Sequence, residues 1–466
     1  MSVSRKGAAL AARCGKMPSR WSRLAVSTLA AAIITVGVSG CATGLSTTSQ
    51  VNAPVLEYSH NVVVDAEKVA ELDAFMQSLI DDKKQSSAVG FVAQDGKVLY
   101  RKAFGWKNIE EKIPASIDDY YVLFSQTKAV TAVAFMTLVD KGLVKIDDPV
   151  SKYFPSIPNR VITKLNEDGT YETREAETPI TFIHLLSHSS GIGAGLAGEL
   201  RQKVVAMDGR PAGFWGAGFP DVEPQGQRTG GQSLRTATLA QEMEALAKYP
   251  LGFDPGSDWN YHPDSNMLGY LIELISGMSL RDYVKQHILD PLKMTQTDWY
   301  HPKESLTRFV TPYYAKDGKL TPGNNFYARG AVSEVQTYAE GGLGLNGPIS
   351  DYAKFAQMLL NKGSYNGVQI LKPETLEAMV SVNRLAPTAK VDSGFEFGLG
   401  FQLFTDERKP APSVSSEGFA WGGLMGTEYL IDPENNTILL FYTNMYEKGN
   451  HYGDYLEKAY PLIKRD

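Results

Sequence analysis

The sequence predicts an α+β fold, with one antiparallel sheet formed from N- and C-terminal segments, flanking helices, and a mainly helical middle region. Two observations support this architecture. Alternating strand patterns occur near both ends of the chain, whereas helical patterns dominate between them. The composition, with 43% apolar and 21% charged residues, is typical of a globular protein. We therefore expect the two ends of the chain to meet in one sheet with helices on a face.

The N-terminal part of the sheet is predicted to begin with a helix that starts at Asp65. One face of this helix is apolar and carries Val69, Leu72, Phe75, Met76 and Leu79. Residues 89–93 and 97–104 follow as two strands of a hairpin around the turn at 94–96.

Helical patterns then recur through the middle of the chain. They cover residues 121–142, 181–186, 238–248, 266–276, 280–289 and 351–362, and Gly142, Gly277 and Gly363 are natural helix stops. Residues 191–231 are crowded with Gly, Pro and Gln. This segment fits either a surface loop or a wall over a pocket.

Strand patterns return near the C-terminus. Residues 420–423, 427–432 and 437–444 are predicted strands, the last two joined by a turn at 433–436, and residues 455–464 form a closing helix. We expect one domain over residues 65–466. Its sheet part covers about 65–120 and 390–466, and its helical part covers about 121–389.

The first 40 residues have the order of an export signal. Six basic side chains precede an apolar run at 24–38, which is too short for a confident membrane span. The run ends in Val38-Ser39-Gly40-Cys41, which resembles a bacterial lipobox; the alternative is an ordinary secretory signal with an incidental cysteine. Met1 and Met17 are both candidate starts.

The lipobox resemblance implies a lipid anchor on Cys41, with residues 41–64 as a tether. Ala42 follows, not Asp, which by resemblance favours the outer membrane. We therefore expect an exported protein, held by its lipid on the periplasmic face of the cell envelope.

Charge and cysteine content exclude several function classes. Without residues 1–40 the chain carries 40 Lys and Arg against 52 Asp and Glu, a net charge of −12, so nucleic acid is not an expected partner. Cys14 and Cys41 are the only cysteines, and processing would leave one. A disulfide and a zinc thiolate site are then both excluded. We expect no metal or cofactor and an oxygen nucleophile.

The stretch LFSQTKAVTAVAF, residues 123–135, places a lysine among small and apolar residues. Ser125 and Lys128 are three apart, so at the start of a helix their side chains can touch. A buried lysine has a lowered pKa and can take a proton from a hydroxyl. The alternative is that Ser125 caps the helix and Lys128 extends to water. A lone Ser-x-x-Lys match is a weak signal.

Five downstream segments occur in a recognisable order: DDPVSKYFP (147–155), ITFIHLLSHSSGI (180–192), DPGSDWNYHPDSNMLGYLIE (254–273), GGLGLNGPISDYAKFAQMLL (341–360) and FAWGGLMGT (419–427). Together with Ser-x-x-Lys, they resemble the serine β-lactamase and penicillin-binding protein superfamily. Within it, the chain is most similar to the class C-like group that includes family VIII carboxylesterases. The resemblance covers about residue 65 to the C-terminus and implies a β-lactamase/transpeptidase-like fold.

The resemblance also implies roles for individual residues. Tyr261 would be the second catalytic base, acting as phenolate or as proton relay beside Ser125 and Lys128. On its own it would be read as a core aromatic. The backbone N–H groups of Ser125 and Leu424 would hold the oxyanion.

The strand at 420–424 would line the other side of the site. Gly422 and Gly423 would let substrate lie against bare backbone there; a plain strand with a bulge is the alternative.

Two departures from the family pattern concern substrate binding. Trp421 stands where lactamases and peptidases present Lys or His for a substrate carboxylate, and Pro263 replaces the Asn of Tyr-x-Asn after Tyr261. An indole offers one weak donor and a large apolar face, which favours an uncharged group. Similar variants occur in the family VIII esterases that the sequence resembles.

Four polar residues near these motifs have less certain roles. His262 could tune the Tyr261 phenol or line the pocket. Asn266 could supply an amide or cap the following helix, and we favour the cap. His184 and His188 are expected to be structural, not members of a triad.

These residues predict a serine hydrolase that acts by acyl-enzyme on small to medium carboxylic esters, with a small-molecule ester as its partner. A β-lactamase or D-amino-acid peptidase on the same scaffold is the first alternative. The second is a non-catalytic cell-envelope lipoprotein that retains the fold for binding. The oligomeric state and the physiological ester do not follow from the sequence.

Overall fold

An eight-stranded antiparallel sheet forms the centre of the molecule in the computed structural model. The structure describes residues 54–58, 64–166, 170–193, 238–261, 263–316, 318–332, 339–446 and 449–464. The signal at 1–40, Cys41, most of the tether, His262 and residues 194–237 lie outside the described residues. All described residues belong to one unit, Gln50–Asp466.

The strands in this part of the chain, in order, are β1 (Ser87–Gln94), β2 (Lys97–Asn108), β3 (Ile113–Pro114), β4 (Tyr121–Val122), β5 (Arg160–Leu165), β6 (Tyr171–Glu175), β7 (Tyr313–Lys316), β8 (Lys319–Pro322), β9 (Asn346–Gly347), β10 (Ser364–Tyr365), β11 (Val368–Gln369), β12 (Glu396–Phe397), β13 (Gln402–Leu403), β14 (Phe419–Gly422), β15 (Thr427–Asp432) and β16 (Thr437–Tyr442).

The α-helices are α1 (Ala66–Asp81), α2 (Thr127–Asp140), α3 (Phe182–Leu186), α4 (Leu239–Leu246), α5 (Pro263–Ser276), α6 (Leu280–Val284), α7 (Phe326–Ala331), α8 (Ile349–Leu360), α9 (Pro373–Val380) and α10 (His451–Ala459). A 3₁₀ turn at Phe124–Gln126 precedes α2, and a π turn at Lys285–Leu289 follows α6.

The main sheet has the strand order β12-β13-β14-β15-β16-β1-β2-β3. At its centre β1 pairs with β16, in a register that places Val89 opposite Tyr442 and Gln94 opposite Thr437. N- and C-terminal segments therefore meet as neighbours. This observation confirms the predicted α+β architecture.

Two apolar cores lie on opposite faces of this sheet. On one face, Phe419 and Tyr429 of β14 and β15 pack in the large cluster that contains the buried side chains of α2 and α8. On the other face, Ala420 and Leu430 pack against α1 and α10. The alternation follows from the two-residue period of a strand.

The buried helix begins later than the sequence pattern indicates. Tyr121 and Val122 form a strand that pairs with β9, and the Leu123 N–H donates to the Leu345 carbonyl at 2.9 Å. Phe124 has a left-handed backbone with φ of 46°. The chain therefore turns sharply before Ser125, and α2 starts at Thr127.

Two other helix starts differ from the prediction, and several short elements were not predicted. Helix α5 starts at Pro263, not at residue 266, because proline is well accommodated in a first turn. Helix α10 starts at His451, four residues before the prediction. Helices α7 and α9, the hairpins β5–β6 and β7–β8, and the short strands β12 and β13 were not predicted.

Candidate active site

Ser125 lies in the 3₁₀ turn that leads into α2, and Lys128 lies one turn further on. The Lys128 Nζ is 3.2 Å from the Ser125 Oγ and donates to the Gly342 carbonyl at 2.7 Å. The left-handed residue Phe124 is buried directly before the serine. Such strained positions persist where the surrounding structure holds them, and they cluster at active sites.

Lys128 is enclosed on nearly all sides. It is 3% exposed, and the first twelve residues of α2 are all buried. Burial lowers the pKa of Lys128 from its ordinary 10.5 to about 7, while the Glu340 carboxylate acts in the opposite direction. A large share of the lysine is therefore neutral near pH 7 and can accept a proton. The alternative that Lys128 extends to water is wrong.

The carbonyl that receives the Lys128 hydrogen bond is itself fixed. The Gly342 N–H donates to Asn266 Oδ1 at 2.8 Å, and Thr131 Oγ1 donates to the Gly341 carbonyl at 2.8 Å. A Cβ at Gly341 would overlap the Ser265 carbonyl, so only glycine permits this approach.

The expected helix cap at Asn266 is therefore wrong, since Asn266 lies inside α5 and is buried. Its amide oxygen orients the segment that holds Lys128.

Tyr261 faces the lysine and the serine. Its hydroxyl accepts a hydrogen bond from Trp421 Nε1 at 2.9 Å, and Lys128 Nζ lies 4.6 Å from its ring centroid. Burial raises the pKa of the Tyr261 hydroxyl, and hydrogen bonds with Ser125 and Trp421 only partly oppose this rise. The hydroxyl therefore remains protonated near neutral pH. Of the two roles expected for Tyr261, this favours the proton relay over the phenolate.

Aromatic rings hold Tyr261 in place. His188 makes a T-shaped contact with it at 4.9 Å between ring centroids, and Trp259 stacks on it at 5.7 Å. Burial, with a smaller effect of Lys128, lowers the pKa of His188 to about 3, so this ring is neutral. His184 instead forms the capping box of α3 with Thr181.

Trp421 does not offer its single donor to a substrate. Its N–H is directed to Tyr261, and its ring makes a T-shaped contact with Phe397 at 5.2 Å between centroids. The indole nevertheless lines the site cavity. Its face supplies an apolar wall, and its N–H orients the phenol.

Glycines at the end of β14 bring this strand close to Ser125. A Cβ at Gly423 would lie 2.5 Å from the Leu123 carbonyl oxygen, which accepts a hydrogen bond from Thr427 Oγ1 at 3.2 Å. Position 423 therefore needs glycine for contact with the segment that precedes the serine.

The following residue, Leu424, is 48% exposed. Its N–H makes no hydrogen bond to any described residue, whereas the Gly423 N–H donates to the Thr427 carbonyl at 2.6 Å. This amide is therefore available to an oxyanion.

Ser125, Tyr261 and the strand edge at 421–424 line one cavity of about 540 Å³. Lys128 lies behind Ser125, outside this lining. The structure thus brings the sequence-predicted residues Ser125, Lys128, Tyr261, Trp421, Gly422, Gly423 and Leu424 to one place. A cavity of this size accommodates a small to medium organic molecule.

Sequence reasoning missed several polar residues around the cavity. Glu340 acts on Lys128 from a distant segment, and Glu428 and Tyr452 line the cavity itself. Glu340 directly precedes the quoted segment 341–360, but nothing in that segment indicates its effect on Lys128. Asn266 was named from the sequence, but the role favoured for it, a helix cap, was wrong. Glu428 lies in a predicted strand and Tyr452 just before the helix predicted at 455–464, and neither residue carried a signal apart from its polarity.

The described residues give two further findings. They contain no group of three or more His, Cys, Asp or Glu side chains that could hold a metal ion. None of their helices has the length and apolar character required to cross a bilayer.

Comparisons with known proteins identify the family and the fold of the chain. A family model described as Beta-lactamase matches residues 72–459. Esterase EstB of Burkholderia gladioli is 27% identical over 399 residues, covering 82% of this chain and 92% of EstB. Lovastatin esterase of Penicillium rubens is 27% identical over 366 residues, covering 77% and 83%.

The solved structure of EstCE1, described as a hydrolase with promiscuous acyltransferase activity, shares the fold. The TM-score is 0.67 at 22% sequence identity, covering 84% of this chain and 98% of EstCE1.

Proposed function

The chain belongs to the β-lactamase family, and from this premise we propose that it is a serine carboxylesterase that cleaves small to medium esters through an acyl-enzyme on Ser125. One observation carries the proposal. The Lys128 Nζ lies 3.2 Å from the Ser125 Oγ, in a site where burial lowers the pKa of the amine to about 7. The amine can therefore activate the hydroxyl under ordinary conditions.

The reaction begins with proton transfer from Ser125 to neutral Lys128 while the serine oxygen attacks the ester carbonyl carbon. The negative charge that develops on the carbonyl oxygen is held by the backbone N–H groups of Ser125 and Leu424. The tetrahedral intermediate then collapses, and the bond to the alcohol oxygen breaks.

Tyr261 returns the proton to the leaving alcohol. Its hydroxyl stays protonated because burial raises its pKa, so it can donate to the alkoxide and be reprotonated by the Lys128 ammonium. Water then attacks the acyl-enzyme with the same groups in reverse roles, which releases the acid and restores Ser125.

Trp421 in place of a cation favours an ester over a lactam with an obligatory carboxylate. Trp421 lies where the resembled lactamases and peptidases hold that carboxylate, and its N–H is committed to Tyr261. The esterase names of two relatives at 27% identity support the same choice. A β-lactamase or D-amino-acid peptidase remains the first alternative, and a non-catalytic binding lipoprotein the second.

A direct experiment compares p-nitrophenyl butyrate with a chromogenic cephalosporin, using the wild-type chain and Ser125→Ala. We expect rapid ester cleavage that Ser125→Ala abolishes, and labelling of Ser125 by a fluorophosphonate. Ser116→Ala is a matched control, because Ser116 is exposed and does not line the cavity, and it should retain activity. Fast cephalosporin turnover without ester cleavage would reverse the assignment, and ester cleavage by Ser125→Ala would remove it.

We further propose that the protein is a lipoprotein on the periplasmic side of the cell envelope, anchored through Cys41, most consistent with the outer membrane. The basic, apolar and small-residue order of 1–41 supports this. Metabolic labelling with an alkyne-tagged fatty acid should mark the wild type and Cys14→Ser but not Cys41→Ser. Labelling that persists in Cys41→Ser would refute the anchor, and fractionation would assign the membrane.

A further inference from the structure

A buried carboxyl group and a buried imidazole ring face each other close to Tyr261, and the proposed reaction uses neither. Asp264 is 1% exposed and His188 is 2% exposed. The Asp264 Oδ2 lies 3.8 Å from the His188 Nδ1, and within the described part of the chain neither atom forms a hydrogen bond. Because buried polar atoms nearly always have partners, these two atoms call for an explanation.

The Asp264 carboxyl group is fixed on its other side. Asp264 lies in the first turn of α5, three residues after Tyr261. Its Oδ1 accepts a hydrogen bond from the Ser190 Oγ at 2.6 Å, and the Ile192 N–H donates to the same Oγ at 3.0 Å. The segment that follows His188 therefore holds one carboxyl oxygen, and the second oxygen is left opposite the imidazole ring.

Aromatic rings enclose the imidazole of His188. The ring centroids of Tyr261, Phe397 and Trp259 lie 4.9, 5.6 and 6.4 Å from its own. These contacts restrict the position of the imidazole, but hydrogen bonds set the orientation and protonation of its two nitrogen atoms. The Asp264 carboxyl group supplies a polar neighbour that can do so.

The backbone joins the same two segments. His188 has a left-handed backbone with φ of 58°, and its carbonyl accepts a hydrogen bond from the Asn260 N–H at 2.8 Å. Asn260 directly precedes Tyr261. A residue in this conformation persists where the surrounding structure holds it. A displacement of His188 would therefore reach Tyr261 through both the backbone and the ring contact.

The two groups have complementary protonation states. Burial raises the pKa of Asp264 well above its ordinary value, against the opposing effect of hydrogen bonds with Ser190, and so favours the protonated carboxyl group. Burial and, to a smaller extent, Lys128 lower the pKa of His188 to about 3, so its ring is neutral. Since Oδ1 accepts from Ser190, the acid proton belongs on Oδ2, opposite a nitrogen lone pair. A movement of about 1 Å would bring Oδ2 and Nδ1 to hydrogen-bond distance.

We propose that Asp264 is a positioning residue for Tyr261: its carboxyl O–H donates to the His188 Nδ1, and the anchored imidazole ring holds the phenol beside Ser125 and Lys128. This inference rests on the proposed esterase function and assigns a role to a residue that does not line the cavity. The Tyr261 hydroxyl must meet the leaving alcohol, so a small displacement of its ring weakens proton donation.

The test compares kcat/KM for propyl butyrate and for p-nitrophenyl butyrate in Asp264→Leu and Asp264→Asn. Propanol needs a proton from Tyr261 in order to leave, whereas p-nitrophenolate leaves without one. Asp264→Leu has a similar branched shape but no donor, so we expect the loss for propyl butyrate to exceed the loss for p-nitrophenyl butyrate by about tenfold or more. Asp264→Asn keeps a donor and should retain kcat/KM for propyl butyrate within about threefold.

His188→Phe tests the same contact from the other side, because phenylalanine keeps an aromatic ring against Tyr261 but has no nitrogen. It should show the same greater loss for propyl butyrate, and the double variant His188→Phe/Asp264→Leu should lose no more than either single variant. Melting curves establish that each variant folds.

Asp282→Leu is a matched control, since Asp282 is an exposed aspartate in the first turn of α6 and does not line the cavity. It should leave kcat/KM for both esters unchanged.

Equal losses for the two esters in Asp264→Leu, equally large losses in Asp264→Asn, or additive losses in the double variant would overturn the proposal, since a purely structural carboxyl group gives these results. If Asp264→Leu does not fold, the comparison of the two esters in His188→Phe decides between the same outcomes. Failure of the esterase itself would appear separately, as wild-type protein that cleaves neither ester or as activity retained by Ser125→Ala.

Discussion

The pH dependence of ester cleavage gives the most direct test of the Lys128 environment. Burial lowers the pKa of Lys128 from 10.5 to about 7, and only the neutral amine can accept the Ser125 proton. The neutral fraction is then about one half at pH 7 and about one hundredth at pH 5. We therefore expect kcat/KM to fall about 50-fold between pH 7 and pH 5, with a midpoint near 7.

A midpoint near 7 would ordinarily suggest histidine, so the assay needs variants that separate the two residue types. Burial lowers the pKa of every described histidine, namely His184, His188, His287, His301 and His451. His60 and His262 lie outside the described residues, and His60→Gln and His262→Gln should keep the midpoint.

Glu340→Gln should move the midpoint to lower pH, because the Glu340 carboxylate raises the pKa of Lys128. Lys128→Arg should lower kcat/KM by at least about 100-fold, since arginine is always charged. The measurement is kcat/KM from pH 4.5 to about 9 with an ester whose acid and alcohol do not titrate in that range. A midpoint near 9, or an upward shift in Glu340→Gln, would refute the reasoning.

Three other predictions follow from the same contacts. Folding keeps Lys128 neutral between about pH 7 and 10.5, so in this window the unfolded chain binds more protons than the folded protein and the stability of the fold rises with pH. Lys128→Met should remove this pH dependence, raise Tm at pH 6 and abolish activity. A lower Tm at pH 6 would contradict the argument. Trp421→Phe removes the hydrogen-bond donor to the Tyr261 hydroxyl. Steady-state kinetics with p-nitrophenyl butyrate should show kcat reduced roughly three- to tenfold with little change in KM. A change in KM alone would assign the indole to substrate binding. Asn266→Ala leaves the Gly342 N–H unpaired, so it should lower kcat and shift the midpoint of the pH profile of ester cleavage. Asn266→Asp keeps an acceptor for this N–H and should retain more activity. Equal kcat values in the two variants would exclude a positioning role for Asn266.

The parts of the site that could be predicted from the sequence are those that depend on neighbours along the chain. Ser125 and Lys128 are one turn apart in a segment that is apolar on nearly every side, so their contact and the burial of the amine follow from local pattern. The β14 segment was recognisable because glycines precede an alternating strand. The family match over residues 72–459 confirms the resemblance inferred from these motifs.

The parts that could not be predicted depend on long-range packing. The hydrogen bond from Gly342 to Asn266 joins residues 76 positions apart, and the bond from Trp421 to Tyr261 joins residues 160 apart. Sequence spacing contains no information about such contacts, which is why Asn266 was assigned to a cap and Trp421 only to substrate binding. The start of α2 was misplaced for a similar reason, because β9 draws Tyr121 and Val122 into a strand.

The pairing of β1 with β16 has a consequence for how the chain is made. Strand β1 is synthesised early, yet its partner follows after a long delay, as shown by the hydrogen bond from Thr437 Oγ1 to the Ala93 carbonyl, which spans 344 positions. Until the ribosome has finished nearly the whole polypeptide, the apolar β1 lacks one neighbour and the sheet cannot close. A nascent chain of this topology stays incompletely folded throughout translation, and the export that we propose would require such an unfolded chain.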